Sequence, residues 1–432
     1  MSSDTAMAQV DGFVGAVSHT FESDQLIRDD LSRYAVDGME PRLCVEPITT
    51  SQIQAALVEA QNQHLAVVAV GGAHHLGAGN IPSAYDLALS LARLGRIVEH
   101  EPADMTVTVE TGVQLDTLNA QLAQHGQFLP LDPPCGASAT VGGVLAANTS
   151  GPRRHAFGTA RDWLIGTRVV HPDGTVSKSG GRVVKNVTGY DMHKLYVGSL
   201  GTLGVIAEAT FKLAPLPRAQ WTLAAAFESA QAACVFVLTA HDAGMALHAA
   251  EVLSPAAAQA AAGAPHWLVL ARVAGGPDAV ERSLRDMRRL AGGAVTDLSD
   301  GDALWQAWSR EFRPKSLSLR ASVLPSSVAE TMGALERALS DAGARLSATV
   351  ASGVVRLQSD SQGEGAAEFV EGVTQIVAKR GGSLIVDAAP PRFKQQVDVF
   401  GPARADLAIM RRLKDQLDPQ RTLAPGRFMG RL

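Results

Sequence analysis

Cysteine is scarce in this chain, and so are clusters of metal-binding side chains. The 432 residues contain only three cysteines, at Cys44, Cys135 and Cys234. This spacing is neither a disulfide framework nor a C-x-x-C pair, so no ligand set for zinc or an iron–sulfur cluster is expected. A reducing, cytoplasmic location follows from the same cysteine usage.

Long apolar runs and concentrated positive charge are also missing. The chain carries 38 Lys and Arg against 43 Asp and Glu, a net charge of −5, and no basic cluster with interleaved aromatic residues. These features argue against a nucleic-acid partner. No apolar run approaches the roughly 18 residues that cross a bilayer, and the N-terminus has early acids and no apolar core. We therefore expect neither a transmembrane segment nor a secretory signal.

Glycine, in contrast, is abundant and concentrated where the chain is also rich in Val, Ile and Leu. Residues 136–213 combine the two, with glycine-rich pieces at 140–143, 150–153 and 198–204. Because glycine lets the backbone approach a ligand closely, we interpret this stretch as a wall around one large, flat, phosphate-bearing ligand.

A second glycine-rich segment, residues 71–79, directly follows the apolar residues 65–70. A glycine turn after a buried strand presents backbone N–H groups to an anion. It is not a G-x-G-x-x-G motif, no helical pattern follows it, and no G-K-[ST] occurs, which excludes a Rossmann or P-loop site. A tight loop without a ligand is the alternative.

The patterning predicts an α+β protein in four parts: a lead-in over residues 1–37, a ligand-binding domain over 38–217, a cap or substrate domain over 218–400, and a C-terminal helix and tail over 401–432. Residues 1–23 look poorly structured, and a short helix is expected over 24–34. The boundary at 213–218 contains two prolines, and beyond it strands and helices alternate, which suggests an antiparallel sheet covered by helices.

Six pieces of the sequence occur in an order that resembles a known family. They are the glycine loop, T-V-G-G at 140–143, S-G-P-R-R at 150–154, G-T-x-R-D at 158–162, K-N-V-T-G-Y-D at 185–191 and G-S-L-G-T-L-G-V-I at 198–206. Together they resemble the PCMH-type FAD-binding domain of the vanillyl-alcohol oxidase superfamily, over roughly residues 38–217. With the tail at 412–428, they are most similar to the second FAD-binding subunits of bacterial glycolate oxidases.

The resemblance implies a two-subdomain FAD-binding domain, a cap domain with an antiparallel sheet, and FAD as the cofactor. The residues that it implies for FAD binding are Gly71, Gly72, Ala73, His74, His75, Gly77, Pro133, Thr140, Gly142, Gly143, Ser150, Gly151, Arg154, Gly158, Arg161, Asp162, Gly201, Gly204, Val205 and Ile206. Arg153 and Arg154 could instead be a solvent-exposed pair, and Gly142 and Gly143 a tight packing of backbones.

The same resemblance implies FAD-dependent oxidation of a small 2-hydroxy acid. It also implies two partners, a catalytic flavoprotein subunit and an iron–sulfur subunit, through which the chain could sit peripherally at the inner membrane. Lys185, Tyr190 and the cap residue Arg320 are the candidates for catalytic roles. Arginine suits a carboxylate, which it holds with two hydrogen bonds. A structural ion pair and a buried tyrosine are the alternative for Lys185, Tyr190 and Asp191.

Two other functions stay open. Covalent-FAD oxidases of the superfamily carry a histidine in the first loop, so His74 would suit a stand-alone oxidase of alcohols or sugars with a covalent flavin. Bicovalent members have a cysteine at the position of Ser138, and Cys135 is therefore expected to be a buried small residue. The third function is a flavin-binding scaffold without turnover of its own.

The second half departs from the main 2-hydroxy-acid dehydrogenases. Their H-x-G-D-G-N type of metal motif is absent, and after residue 220 the only histidines are the isolated His241, His248 and His266. This favours the auxiliary-subunit interpretation. The further cap residues that could face a substrate are Trp305, Trp308, Arg310, Arg313 and Lys315, with a surface helix as the alternative.

Overall fold

The computed structural model describes residues 3–136, 138–181, 189–292, 295–298, 301–339, 343–360 and 365–432. Its strands form a small mixed sheet, an antiparallel sheet beside it, and a large antiparallel sheet in the second half. The α+β class and the antiparallel sheet expected for the second half are thereby confirmed. In the described ranges, no helix has the length and apolarity needed to cross a bilayer.

The first sheet holds the glycine loop at the end of one strand. Its strand order is β1-β2-β4-β3, with β2, β4 and β3 parallel. Thr49 caps α2, whose buried face is formed by Ile53, Ala56, Leu57 and Ala60, as the helical spacing predicts. The elements are α1 Ser3–Val17, β1 Leu26–Ile27, β2 Leu43–Val45, α2 Thr50–Asn62, β3 Val67–Val70 and β4 Leu87–Ser90.

Two expectations for the N-terminal region are wrong. Residues 3–17 form a helix rather than an irregular segment, because Val10, Phe13 and Val17 make an apolar stripe in the core that also contains the buried face of α2. The helix expected over 24–34 is replaced by two short 3₁₀ turns, Ser23–Gln25 and Leu31–Tyr34, with strand β1 between them.

The second sheet is antiparallel, in the order β5-β6-β10-β8-β9. Asp173 and Gly174 form the turn of a β-hairpin in this sheet: β8 pairs with β9, and Gly174 has a φ of +80°. The elements are β5 Ile97–Glu101, β6 Thr106–Glu110, α3 Leu115–Ala123, β7 Gln127–Phe128, α4 Val141–Ala147, α5 Arg154–Phe157, α6 Ala160–Trp163, β8 Leu164–Val170, β9 Val176–Gly180 and β10 Val205–Lys212.

The third sheet belongs to the cap, and the eight strands described for it are all antiparallel to their neighbours. One core contains side chains from α7, α9, α11, α12 and the later helix Pro391–Gln396, and a second contains those of α8 and α10. The cap elements are β12 Ala219–Phe227, α7 Ala230–Asp242, β13 Leu247–Leu253, α8 Pro255–Ala262, β14 Trp267–Gly275, α9 Pro277–Ala291, β15 Val295–Leu298, α10 Asp302–Glu311, β16 Leu317–Ser322, α11 Val328–Leu339, β17 Arg345–Thr349, β18 Val354–Ser359, α12 Ala366–Ala378 and β19 Ser383–Ala388. The preceding strand, β11 Ala214–Pro215, forms a separate short pair with β7.

The C-terminal segment returns to the first sheet. After α13 Pro391–Gln396 and α14 Leu407–Leu417, Leu423 forms a parallel bridge with Val67 at the start of β3. The buried Lys414 ammonium lies 2.6 Å from the Asp418 carboxylate and also donates to the carbonyls of Thr202 and Leu423. The tail is therefore packed against the strand from which the glycine loop emerges.

Candidate functional site

A groove runs from the second sheet, across the glycine loop, to the cap sheet. It consists of three adjoining cavities, which we name the strand, loop and cap cavities. The strand cavity reaches Val205 and Ile206, and shares Gly71, Gly143 and Leu200 with the loop cavity. The loop cavity in turn shares His75 and Ala147 with the cap cavity, so the three form one elongated site.

Thr140 joins the glycine loop to the N-terminal end of α4. Its hydroxyl oxygen accepts hydrogen bonds from the backbone N–H of Gly72 at 3.2 Å and of Gly143 at 3.3 Å. A Cβ added to Gly71 would lie 2.2 Å from this oxygen, closer than any side chain is tolerated. Gly71 is thus required for the contact between loop and helix, and the contact keeps the floor of the groove narrow.

Two buried cations hold the far end of the loop. The Arg427 guanidinium donates to the carbonyls of Leu76 and Ala78, and the Lys394 ammonium donates to the carbonyl of Gly77. Lys394 also pairs with Asp37 at 2.8 Å. Both cations come from the C-terminal part of the chain, which therefore fixes the conformation of the glycine loop.

The two adjacent histidines of the loop have different surroundings. His74 contacts the Arg313 guanidinium through Nδ1 and the Ser138 hydroxyl through Nε2, each at 3.1 Å. The Nε2 atom of His75 is buried, and within the described residues it has no hydrogen-bond partner. The nitrogen available to a bound group in the groove therefore belongs to His75.

The cap cavity contains two arginines on neighbouring strands. Arg320 of β16 and Arg356 of β18 are directly opposite each other in the register of the cap sheet. Arg320 donates two hydrogen bonds of 3.0 Å to Asp387, and Arg356 donates to the carbonyl of Ser150 at 2.6 Å. Like charges in this arrangement repel each other, so the site is built to concentrate positive charge.

A third arginine and one buried acid complete the charge distribution. Arg154 donates to the Ser150 hydroxyl at 3.3 Å, and its pKa is lowered by burial and by the charges of Arg356 and Arg320. Burial also raises the pKa of Glu251, whose carboxylate lies 3.7 Å from Arg356. The cap cavity therefore brings buried arginine and carboxylate groups together in a region with restricted access to water.

The groove fits FAD. It is elongated, its loop end is lined by small residues, and its cap end has the polar groups that a ring system with carbonyl and nitrogen edges needs. His75 Nε2 and Asn148 Oδ1 are buried on its walls without a hydrogen-bond partner among the described residues, which is costly unless a bound group satisfies them.

Most of the predicted cofactor residues line the groove or contact its walls. The loop cavity is lined by Gly71, Gly72, Ala73, His74, His75, Thr140 and Gly143, the strand cavity by Gly142, Gly201, Gly204, Val205 and Ile206, and the cap cavity by Ser150 and Arg320. Arg154 contacts Ser150 at the cap end.

Other predicted residues lie apart from the groove. Gly151 packs against the Asp132 backbone, and Asp162 caps the turn that contains Gly158 and Arg161. Gly77 faces Lys394, while Pro133, Trp305 and Trp308 line a separate cavity between α3 and α10. The Tyr190 side chain is 90 % exposed and lines none of the three cavities described here. Lys185 lies outside the described residues.

Several site residues were missed by sequence reasoning. Arg356, Gln358 and Asp387 line the cap cavity, and Arg427 supports the loop. Arg356 and Gln358 alternate with the apolar Val355 and Leu357 on β18, and this alternation is the signal that could have identified them. Asp387 follows the apolar run 384–386 on β19 and has no such pattern. Arg427 occurs in the tail motif, but the sequence gives no sign of its hydrogen bonds to the glycine loop. Among the described residues, no group of His, Cys, Asp or Glu is arranged to hold a metal ion.

Comparisons with known protein families match both halves of the chain. Residues 41–180 match the family described as "FAD binding domain", and residues 216–428 match "FAD linked oxidases, C-terminal domain". Among solved structures, p-cresol methylhydroxylase superposes with a TM-score of 0.77 over 97 % of this chain and 96 % of that chain, at 16 % identity. At this identity the similarity concerns the fold.

Curated relatives are dehydrogenases and oxidase subunits. The D-2-hydroxyglutarate dehydrogenase of Xanthomonas citri is 28 % identical over 92 % of both chains. Glycolate oxidase subunit GlcD of Bacillus subtilis is 35 % identical over 45 % of this chain and 41 % of that one. Subunit GlcE of Escherichia coli is 44 % identical over 29 % of this chain and 37 % of that one. The matched segments thus span less than half of each glycolate oxidase subunit.

Proposed function

Since the chain belongs to the FAD-linked oxidases with a PCMH-type FAD-binding domain, we propose that it oxidises a small 2-hydroxy acid and passes the electrons to a partner protein. The strand and loop cavities would hold the nucleotide and pyrophosphate of FAD. The cap cavity would hold the substrate beside the ring.

The observation that carries this proposal is that Arg320 and Arg356 lie directly opposite each other on neighbouring strands of the cap sheet. Two guanidinium groups placed opposite each other in a sheet repel, and each has one acidic neighbour: Asp387 for Arg320, and Glu251, at 3.7 Å, for Arg356. Asp387 accepts two hydrogen bonds from Arg320, but a guanidinium has five N–H donors. The remaining donors suit a carboxylate, which is the charged group of a 2-hydroxy acid.

The protein residues would act by binding and orientation. Bound FAD supplies the acceptor for the hydride that leaves the carbon bearing the hydroxyl group. Arg320 and Arg356 would hold the substrate carboxylate and thereby direct that carbon toward the ring. Ser309 of the cap donates to the Pro134 carbonyl at 2.8 Å, which helps the cap to enclose the site and exclude water.

We further propose that the chain acts as the FAD-binding subunit of a glycolate-oxidase-type complex. The names of the GlcD and GlcE relatives and the SGPRR and KNVTGYD pieces of the sequence support this role. The partners would be a second flavoprotein subunit and an iron–sulfur subunit.

The experiment is anaerobic mixing of the FAD-loaded protein with 2-hydroxy acids of increasing length. We expect loss of the flavin absorbance with at least one of them. In Arg320→Gln the substrate concentration for half-maximal reduction should rise about 10- to 100-fold, since a hydrogen bond to a charged group contributes about 1.5–3 kcal/mol.

Two variants control this test. Arg320→Lys keeps the charge beside Asp387 but lacks the forked geometry, so it should fall between the wild type and Arg320→Gln. Arg310→Gln removes an exposed arginine of α10 and should behave as the wild type. A protein that binds FAD but is bleached by no 2-hydroxy acid would contradict the substrate assignment and leave the scaffold function.

A further inference from the structure

We propose that His75 is the base that accepts the hydroxyl proton of the substrate. This inference rests on the proposed oxidation of a 2-hydroxy acid and assigns the residue that completes it.

The position of His75 meets the geometric requirement. Its side chain lines both the loop cavity and the cap cavity, so it stands where the cofactor groove meets the arginine pair. Its Nε2 is buried and has no hydrogen-bond partner in the described part of the chain. His74, in contrast, has both ring nitrogens in contact with protein atoms.

Burial and the positive charges near His75 keep its imidazole neutral, so that Nε2 can accept a proton. Burial, the largest cause, lowers the pKa of His75 to about 4, and His74, Arg313 and Arg320 act in the same direction. Asp387 acts in the opposite direction. An arriving carboxylate would offset the positive charges of Arg320 and Arg313 and thereby raise the pKa of His75, so that substrate binding would make its imidazole a stronger base.

The step balances in protons and electrons. The hydroxyl proton would move to His75 Nε2, and the hydrogen on the carbon that bears the hydroxyl would leave with its electron pair. The carbon–oxygen single bond would become a double bond, giving a 2-oxo acid, and bound FAD would supply the acceptor for the two electrons. The imidazolium formed has Asp387 as its counter-charge. It returns its proton to solvent when the product leaves.

The test compares His75→Gln with His155→Gln, both as FAD-loaded proteins. His155 is a matched control because it is also buried, has a pKa lowered to about 4 by burial, and lies outside the groove against His241. We expect His75→Gln to slow anaerobic flavin reduction about 100-fold or more, the usual size of a general-base contribution. The wild-type rate should rise with pH through one ionisation that His75→Gln lacks, whereas His155→Gln should keep it.

A second measurement does not depend on turnover. Oxalate resembles the substrate carboxylate but cannot be oxidised, and its binding can be followed by the flavin spectrum together with a pH-indicator dye. The wild type and His155→Gln should take up protons on binding oxalate. His75→Gln should bind it with an affinity within a few-fold of the wild type and take up none.

Each outcome is decisive. Equal reduction rates and pH profiles in the wild type and His75→Gln would overturn the assignment of His75 while leaving the substrate class intact. A wild type that neither reacts with 2-hydroxy acids nor binds oxalate would overturn the proposed function itself. If neither His75→Gln nor His75→Asn retains FAD, His75 holds the cofactor and is not the base.

Discussion

Gly71 lacks the one carbon atom that would collide with the Thr140 hydroxyl on the wall of the groove. The Thr140 hydroxyl occupies the space of a Cβ, and through it the loop is bonded to the first turn of α4. Gly77, in the same loop, has open space at its Cβ position. At Gly71 a side chain is excluded by the Thr140 hydroxyl, whereas at Gly77 there is room for one.

We expect Gly71→Ala to weaken FAD binding and lower stability, whereas Gly77→Ala should do neither. The added methyl group must displace Thr140, and overpacking of this kind costs about 1–3 kcal/mol. Gly77→Ala should stay within about 0.5 kcal/mol of the wild type. Apo-protein titration with FAD and thermal unfolding measure both effects. Equal loss in the two variants would mean that the loop backbone, not the Thr140 contact, limits binding.

At the residue scale, glycines were easier to predict than charges. Gly71, Gly142 and Gly201 stand in local motifs whose order can be read along the chain. Arg356 and Asp387 join Arg320 only because β18 and β19 flank β16 in the sheet. Strand neighbours are set by the fold, and sequence spacing does not reveal them. His75 was predicted as a cofactor residue from its loop, but its unpartnered nitrogen required the structure.

At the scale of elements, the C-terminal tail acts as a support for the glycine loop. Asn80, at the end of the loop, donates to the Phe428 carbonyl at 3.0 Å and to Asp398 at 3.1 Å. With the Arg427 contacts, these bonds connect residues more than 300 positions apart. Local patterns predicted the tail helix α14 and most cap elements. They failed for α1, because the apolar residues Val10, Phe13 and Val17 are separated mostly by polar and small residues along the sequence and come together only on one face of the helix.

Arg427→Met should loosen the loop and weaken FAD binding about 10- to 100-fold. The substitution removes a charged donor from the carbonyls of Leu76 and Ala78, and the loss passed on to FAD binding should be about that of one such bond, about 1.5–3 kcal/mol. Arg412→Met, on the exposed side of α14, is the matched control and should bind FAD as the wild type does. Fluorescence titration of the apo-protein gives the dissociation constants. Unchanged binding in Arg427→Met would show that Lys394 alone holds the loop.

At the scale of the whole molecule, the groove and the cap cavity form one site, and electrons that a substrate delivers to a flavin there must pass on to an acceptor. The cysteines cannot serve as that acceptor, because Cys44, Cys135 and Cys234 are buried in three separate hydrophobic cores. Burial also raises the pKa of each thiol to between about 11 and 12, which keeps it protonated and unreactive. The electrons then pass either to oxygen or to another protein.

We expect the isolated protein to behave as a subunit with dissociable FAD rather than as a stand-alone oxidase. His74, the residue that would anchor a covalent flavin, has Arg313 and Ser138 at its two ring nitrogens, so neither is free to attack a flavin carbon. Acid precipitation should therefore release FAD into the supernatant. After anaerobic reduction, air should reoxidise the flavin slowly, and an artificial electron acceptor should do so faster. Flavin retained in the acid precipitate, together with one peroxide formed per substrate oxidised, would instead identify a stand-alone covalent oxidase. His74→Gln separates these cases further, because it would abolish a covalent bond but leave a dissociable cofactor in place.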